Sequence, residues 1–179
     1  MSEALRGENP LGVKVPTLEK LLDDLQEFIQ ETLKNYRLEV KQEGWDNQPL
    51  ERDIEVSQMI MPDPDEEHER IPYILLQLLN GSDKRNERGQ MESKANVRIV
   101  IAIYNPDKLE GRLQVLRIIQ KIRYEIQRAG VIGKMFQIGN LEYLIYPDDT
   151  QTYHMGEMST DWTIPPVERD LTRLVNRSE

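Results

Sequence analysis

Two long stretches of the chain repeat apolar residues at three- and four-residue intervals, which is typical of helices that bury one face. The first stretch begins after Thr17, a residue type that favours the N-cap position. Glu19 and Asp23 place negative charge near the positive end of that helix. The spacing therefore predicts an amphipathic helix, whose apolar stripe is Leu18, Leu21, Leu22, Leu25, Phe28, Ile29, Leu33 and Tyr36.

The second helical stretch follows Asn105, Pro106 and Asp107 and runs to about Arg128, before Gly130. Asparagine, proline and aspartate favour the start of a helix, and glycine favours its end. The predicted buried stripe is Leu113, Leu116, Ile119, Ile122 and Ile126, widened by Val115 and Ile118.

Other segments alternate apolar and polar residues or are apolar throughout, as β-strands are. Val97–Tyr104 is the strongest of them, and Ile71–Leu79 has the apolar character of a central strand. Pro147 and the three residues after it favour a turn, which predicts a hairpin. The further predicted strands contain Leu38 and Val40, then Ile54, Val56, Met59 and Met61, and finally span Phe136–Tyr146 and Tyr153–Ile164.

The order helix, strands, helix, hairpin predicts an α+β fold. We expect a mixed, mainly antiparallel sheet of four to six strands, with the two main helices packed on one face. The organisation expected is an extended leader over residues 1–16, a single domain over residues 17–166, and a tail or short helix over residues 167–179.

The segment Asn80–Asn96 has almost no apolar residues and contains Gly81 and Gly89. A polar connection of this length is unusual within a domain. The sequence therefore predicts a mobile loop that becomes ordered on assembly, with Lys84, Arg85 and Arg88 as its candidate residues.

Charge and composition narrow the range of partners. The 179 residues carry 32 acidic and 23 basic side chains, a net charge of −9, which disfavours general binding to nucleic acid. No apolar run approaches the roughly 18 residues of a membrane span, so no membrane partner is expected. The chain has no cysteine, which fits a reducing compartment, and residues 1–16 lack the pattern of a secretory signal.

The two helices carry opposite charge. Five basic side chains stand against one acidic side chain between Arg112 and Arg128, whereas the first helix is mainly acidic. Such patches would be ordinary solvated faces or would meet between subunits. The candidate interface residues are Arg112, Arg117, Lys121 and Arg128 on the second helix and Glu27 and Glu31 on the first.

Catalytic motifs are weak in this sequence. Only His68 and His154 could serve as a catalytic base, and no nucleophile elbow or phosphate-binding glycine loop is present. The acidic run from Asp63 to Glu69 lacks the spacing of a calcium loop and favours a solvated segment. We therefore expect no catalytic residue, metal or cofactor.

One short pattern is a minor alternative. Pro64-Asp65, followed by Glu92-Ser93-Lys94, resembles the proline–aspartate and glutamate-x-lysine pattern of metal-dependent nucleases, in which two carboxylates hold magnesium. In that family the glutamate and lysine lie on a strand. Here they fall in the predicted polar loop before Val97, which counts against the nuclease hypothesis.

In the order of its elements, the chain resembles the tail terminator proteins of long-tailed bacteriophages. The resemblance covers roughly residues 18–168. It includes the opening helix, Ile71–Leu79, Val97–Tyr104, the helix from Arg112, Phe136–Ile138 and the hairpin strand that ends at Ile164. Departures are the insertion between Gly44 and Arg70 and the length of the C-terminus, so ring contacts are not assigned residue by residue.

The resemblance implies a virion protein, made in the bacterial cytoplasm, without catalytic residues. It implies a ring of identical subunits, a hexamer in that family, which caps the tail tube, stops its polymerisation and joins the tail to the head. The implied partners are other copies of this chain, the tail tube protein and the head–tail connector or neck protein. Another neck or virion interaction protein of a prophage is the alternative.

Overall fold

A computed structural model describes residues 16–43, 49–60, 71–147 and 152–166. The leader before Pro16, the acidic run of residues 63–69, the centre of the predicted turn at 148–151 and the tail from residue 167 onward lie outside the described residues.

The first predicted helix is confirmed as α1, Leu18–Leu33. The side chain of Thr17 caps it by accepting a hydrogen bond from the backbone N–H of Lys20 at 3.1 Å. The residues of α1 that are buried are Leu21, Leu22, Asp24, Leu25, Ile29 and Leu33.

The second helix is confirmed as α2, Lys108–Ala129. Asp107 caps it by accepting the N–H of Glu110 at 2.9 Å, and Gly130 ends it with a φ of 68°. Its buried stripe differs slightly from the predicted one, because Leu113 and Leu116 are only partly buried. The apolar residues that α2 buries fully are Val115, Ile118, Ile119, Ile122 and Ile126.

Six strands form the main sheet, in the order β3-β4-β5-β8-β7-β6. β3 and β4 are parallel, and every other neighbouring pair in this sheet is antiparallel. The predicted α+β class with a mixed, mainly antiparallel sheet is therefore confirmed. The strands are β3 (Glu55–Gln58), β4 (Tyr73–Arg85), β5 (Met91–Tyr104), β6 (Val131–Ile132), β7 (Phe136–Ile145) and β8 (Tyr153–Ile164).

A separate two-stranded sheet joins β1 (Arg37–Glu43) to β2 (Pro49–Asp53) in antiparallel register. The strand containing Leu38 and Val40 is confirmed, and both side chains are buried. β2 was not predicted, because its short sequence contains a single apolar residue, Leu50, which is itself exposed.

Both helices pack on one face of the main sheet and share one hydrophobic core with it. β4, β5 and β8 contribute alternate residues to this core, since successive side chains of a strand point to opposite faces. The one-sided placement of the helices is therefore confirmed. The core residues from these strands include Ile74, Leu76, Val97, Ile99, Ile101, Ile103, Met158 and Trp162.

The face away from the helices, here called the open face, has two different ends. One end is apolar, with Tyr73, Leu75, Val100 and Ala102 buried in a second, smaller cluster. The other end is polar, because β8 places Glu157, Ser159, Asp161 and Thr163 alternately on this face.

The predicted loop between Asn80 and Asn96 is wrong. β4 continues to Arg85, β5 begins at Met91, and the two strands pair antiparallel through this segment. In the turn, Asn86 Oδ1 accepts the N–H groups of Arg88 and Gln90 at 3.0 Å each. Around the turn, residues 84–92 are mostly exposed on both faces, which explains their polar character, whereas Ser93 and Ala95 of the same segment are buried. Main-chain pairing, and not burial, therefore holds residues 84–92.

Candidate assembly surfaces

The tip of the β4–β5 hairpin projects beyond the neighbouring strand. β8 pairs with β5 only as far as Ser93, which lies opposite Ile164, so residues 84–92 pair only with one another. We call residues 84–92 the arm. It contains all three predicted loop residues, Lys84, Arg85 and Arg88, and all three are exposed. Sequence reasoning grouped these residues correctly but assigned them the wrong local structure.

The basic side chains of α2 already have partners within the same protomer. Arg117 Nη1 donates to Glu110 Oε1 at 2.5 Å, and this hydrogen bond raises the pKa of Arg117 above its ordinary value. Arg128 forms an ion pair with Glu125. Arg112 donates to the carbonyl oxygen of Pro147. The positive charges of Arg117 and Arg128 are therefore already paired with acidic side chains of α2.

A groove of about 330 Å³ lies between α1 and α2. Lys121 and Arg128 line one side of it, and Glu31 lies on the other, so opposite charges from the two helices are neighbours within one protomer. Glu31 also pairs with Lys34 of α1 at 3.4 Å. Glu27 is exposed on α1. Contact between these residues and a second subunit stays a prediction.

A cross-strand network on the open face was missed by sequence reasoning. Arg98 of β5 donates from Nε to Glu157 Oε2 at 2.6 Å and from Nη2 to the Tyr146 hydroxyl at 3.0 Å. The Tyr146 hydroxyl donates to the same Glu157 oxygen at 2.7 Å. Arg98 lies on a different predicted strand from Tyr146 and Glu157, and the alternation of polar residues in β8 indicated only that Glu157 faces away from the core.

Partial burial and hydrogen bonding shift the pKa values of this network. Burial opposes the charge on Glu157, but the hydrogen bonds from Tyr146 and Arg98 outweigh it and hold the Glu157 pKa below its usual range. Burial likewise opposes the charge on Arg98, yet hydrogen bonds to Glu157 and Tyr146 raise its pKa. Burial raises the pKa of Tyr146, and its hydrogen bond to Glu157 adds to the increase. Arg98 and Glu157 therefore stay charged as a pair.

A second set of polar contacts continues along the same face. Asn96 Nδ2 donates to Ser159 Oγ at 2.9 Å and to Asp161 Oδ1 at 2.8 Å. Asn140 Nδ2 of β7 donates to the other oxygen of Asp161 at 3.3 Å. These contacts fix the register of β5, β8 and β7 and offer further polar groups to a partner.

The nuclease pattern is only partly within the described residues. Glu92 and Lys94 lie on β5, so the argument that they fall in a loop is wrong. Glu92 accepts a hydrogen bond from Asn86 Nδ2 at 3.1 Å, and Lys94 Nζ lies 4.0 Å from Glu92 Oε2. Asp65 lies outside the described residues, so its distance from this pair is not defined.

Of the two histidines, His154 is within the described residues. His154 is fully buried under α2, and its Nε2 lies 3.1 Å from the carbonyl oxygen of Asn105. His68 lies outside the described residues. No group of three or more histidine or carboxylate side chains suited to a metal occurs in the part of the chain that the structure describes. None of the described helices has both the length and the apolarity to span a membrane.

Comparison with known proteins identifies no family for this chain. No family model matches the sequence, and no curated protein matches it. Among solved structures, a chain from the virion of a native gene transfer agent particle is similar over 80% of this chain and 93% of that chain. The TM-score is 0.39 and the sequence identity is 8%, values at which the similarity carries no argument about function.

Proposed function

We propose that this protein is a structural virion subunit that works by packing against other copies of itself and against other virion proteins. The observation that carries the proposal is the arm, a charged hairpin tip that projects beyond β8 and is supported, within the described residues, only by its own strand pairing. A projecting hairpin tip of this kind contributes little to the hydrophobic core of its own protomer, which is typical of an element that contacts a partner.

Exposed apolar side chains add to this support. Leu79 is 55% exposed beside the arm, and Tyr143 and Leu144 are 46% and 51% exposed on β7, at the far side of the sheet. These apolar side chains lie on both faces of the sheet and are available for contact with other proteins.

The finer role that we propose is that of a tail terminator, as the family resemblance implies. In this role six copies form a ring that caps the tail tube, ends its polymerisation and joins it to the neck. The confirmed order of α1, β4, β5, α2, β7 and β8 matches the elements on which that resemblance rests. The second candidate, another neck or virion interaction protein, predicts partner binding without a closed ring.

Size-exclusion chromatography with light scattering, followed by negative-stain electron microscopy, tests the ring. We expect a closed ring that dissociates as salt rises, because charged contacts at an interface rim are screened by salt. A matched sample with tail tube protein should show the ring on tube ends. A monomer at all concentrations, with and without tube protein, would contradict the proposal, and binding without closure would favour the second candidate.

We propose further that the protein is not an enzyme, and the nuclease pattern provides the sharpest test. Incubation with plasmid DNA and magnesium or manganese should leave the DNA intact, and Glu92→Ala should behave as the unchanged protein does. The control is the same preparation checked for folding by circular dichroism. Metal-dependent cleavage that is lost in Glu92→Ala, with the fold retained, would replace the structural role with a nuclease.

A further inference from the structure

At both edges of the main sheet, a long strand extends beyond the short strand that pairs with its outer side. β3 pairs with β4 only over Tyr73–Leu76, although β4 continues to Arg85. At the other edge, β6 pairs with β7 only at Phe136 and Gln137, although β7 continues to Ile145. Within the described residues, the outer sides of residues 77–85 and 139–145 therefore have no strand beside them. We call these segments the β4 edge and the β7 edge.

The outward-facing main-chain groups can be assigned from the hydrogen bonds beside them. Tyr146 donates its N–H towards β8, to Met155 O at 3.1 Å. In an antiparallel strand, the main-chain N–H and C=O groups of successive residues point alternately to the two sides of the strand. The N–H and C=O groups of Tyr143 and Ile145 therefore point away from β8, to the outer edge of the sheet. On β4, Leu78 N–H points outward too, since it meets Met59 Sδ at 3.4 Å. Both edges thus present main-chain donors and acceptors.

Proteins usually protect such edges with prolines, short strands or charges. Neither edge segment contains proline, and the segments are nine and seven residues long by position. They carry opposite net charge: the β4 edge has Lys84 and Arg85 against Asp83, whereas Glu142 is the sole charged residue of the β7 edge. Two β4 edges would bring basic side chains together, and two β7 edges would bring the Glu142 carboxylates together. Charge therefore favours pairing between unlike edges.

We infer that the β4 edge of one copy adds to the β7 edge of the next copy, so that the six-stranded sheets join into one continuous sheet. This inference deepens the proposed function and rests on it. The contact joins two different surfaces, so it propagates around a ring and closes if the rotation between copies allows. Seven residues of paired strand extend about 23 Å. Main-chain pairing provides the affinity, and Leu79, Tyr143 and Leu144 provide apolar contact beside it.

Cysteine cross-linking can test this contact cleanly because the chain has no cysteine of its own. Lys84 and Leu144 are both exposed. They also lie on the open face: Lys84 pairs with Glu92, which alternates with Arg98 along β5, and Leu144 pairs with Glu157. Pairing of unlike edges that brings Lys84 to Glu142 also brings Lys84 close to Leu144, because residues 142 and 144 share one face of β7. Lys84→Cys and Leu144→Cys, co-expressed and treated with a short bismaleimide linker, should therefore give a covalent dimer. Each variant alone should stay monomeric on a denaturing gel, and the double variant should give a ladder of multimers.

The matched control replaces the β7 position with Gln127, an exposed residue of α2. Lys84→Cys co-expressed with Gln127→Cys should give no cross-link. Dimers from Lys84→Cys alone or from Leu144→Cys alone would overturn the pairing of unlike edges. If microscopy shows rings but the 84–144 cross-link is absent, the edge inference fails and the proposed ring stands. Cross-linked open chains without rings would instead support the edges and contradict the ring. Absence of both would contradict both proposals.

Discussion

Gly111→Ala is expected to destabilise the folded protein by about 3 kcal/mol or more, although alanine is the better helix former by about 1 kcal/mol. Gly111 lies in the first turns of α2, where an added Cβ would lie 2.1 Å from His154 Cδ2 and 2.3 Å from His154 Nε2. His154 is fully buried and cannot turn outward without leaving the core. The helix would have to move away from β8. Thermal and urea unfolding followed by circular dichroism measure the loss.

A second substitution separates this contact from a general effect on the helix. In the Gly111→Ala, His154→Ala double variant the clash is removed, although Asn105 O loses its contact with the imidazole. We expect the double variant to be more stable than Gly111→Ala alone, so that the two substitutions are strongly non-additive. If Gly111→Ala were as stable as the unchanged protein, the close packing of α2 on β8 would be contradicted.

The position of α2 shows what the sequence could not provide. Its limits and buried stripe were predictable, because Asp107, Gly130 and the apolar spacing are local signals. The reason for its close approach to β8 was not, since Gly111 and Gly156 are isolated glycines in sequence. Only the fold places the Gly156 position 2.7 Å from Val115 Cγ1 when a Cβ is added there. A contact between residues far apart in the chain produces no periodic pattern in the sequence.

In the arm, by contrast, the local sequence pattern itself was misleading. The segment was correctly identified as polar, but it was wrongly predicted to be a loop. Hydrophobic alternation identifies a strand only when one face is buried, and residues 84–92 have solvent on both faces. The same limitation hid β2, whose described side chains are exposed or only partly buried. The candidate residues were thus predictable as an exposed charged group, whereas their arrangement on paired strands was not.

The intramolecular ion pairs of α2 also change which surface is expected to form the main contact between subunits. Arg117 and Arg128 are held by Glu110 and Glu125, so an interface on this face would have to break or share these pairs. Exposed ion pairs of this type contribute little to stability because water and salt screen them, so sharing them between subunits adds little affinity. Among the described residues, the one hydrogen bond cited at an outward main-chain group of these edges is the contact of Leu78 N–H with Met59 Sδ, and a thioether sulfur is a weak acceptor. The edges are therefore the stronger candidates for the principal subunit contact.

Gly133→Ala is the second substitution with a large expected effect, a loss of about 2–4 kcal/mol in the free energy of unfolding. Gly133 has a φ of 59°, and an added Cβ would lie 1.9 Å from Asp24 Oδ2 of α1. The Asp24 side chain is 8% exposed and paired with Lys20, so moving it disturbs a buried charge. The left-handed φ accounts for part of this loss, as it does for alanine at Gly130, and the close contact with Asp24 accounts for the rest.

Gly130→Ala is the matched control for Gly133→Ala. Gly130 has a φ of 68°, but an added Cβ there would meet no atom within 4 Å. It should therefore cost only the backbone strain, about 1–2 kcal/mol. Urea unfolding of both variants measures the difference, which reports the contact between α1 and the turn after β6. Adding Asp24→Ala to each variant should reduce the difference, since the clashing carboxylate is gone. Equal losses for Gly130→Ala and Gly133→Ala would show that the turn does not hold α1 through Asp24.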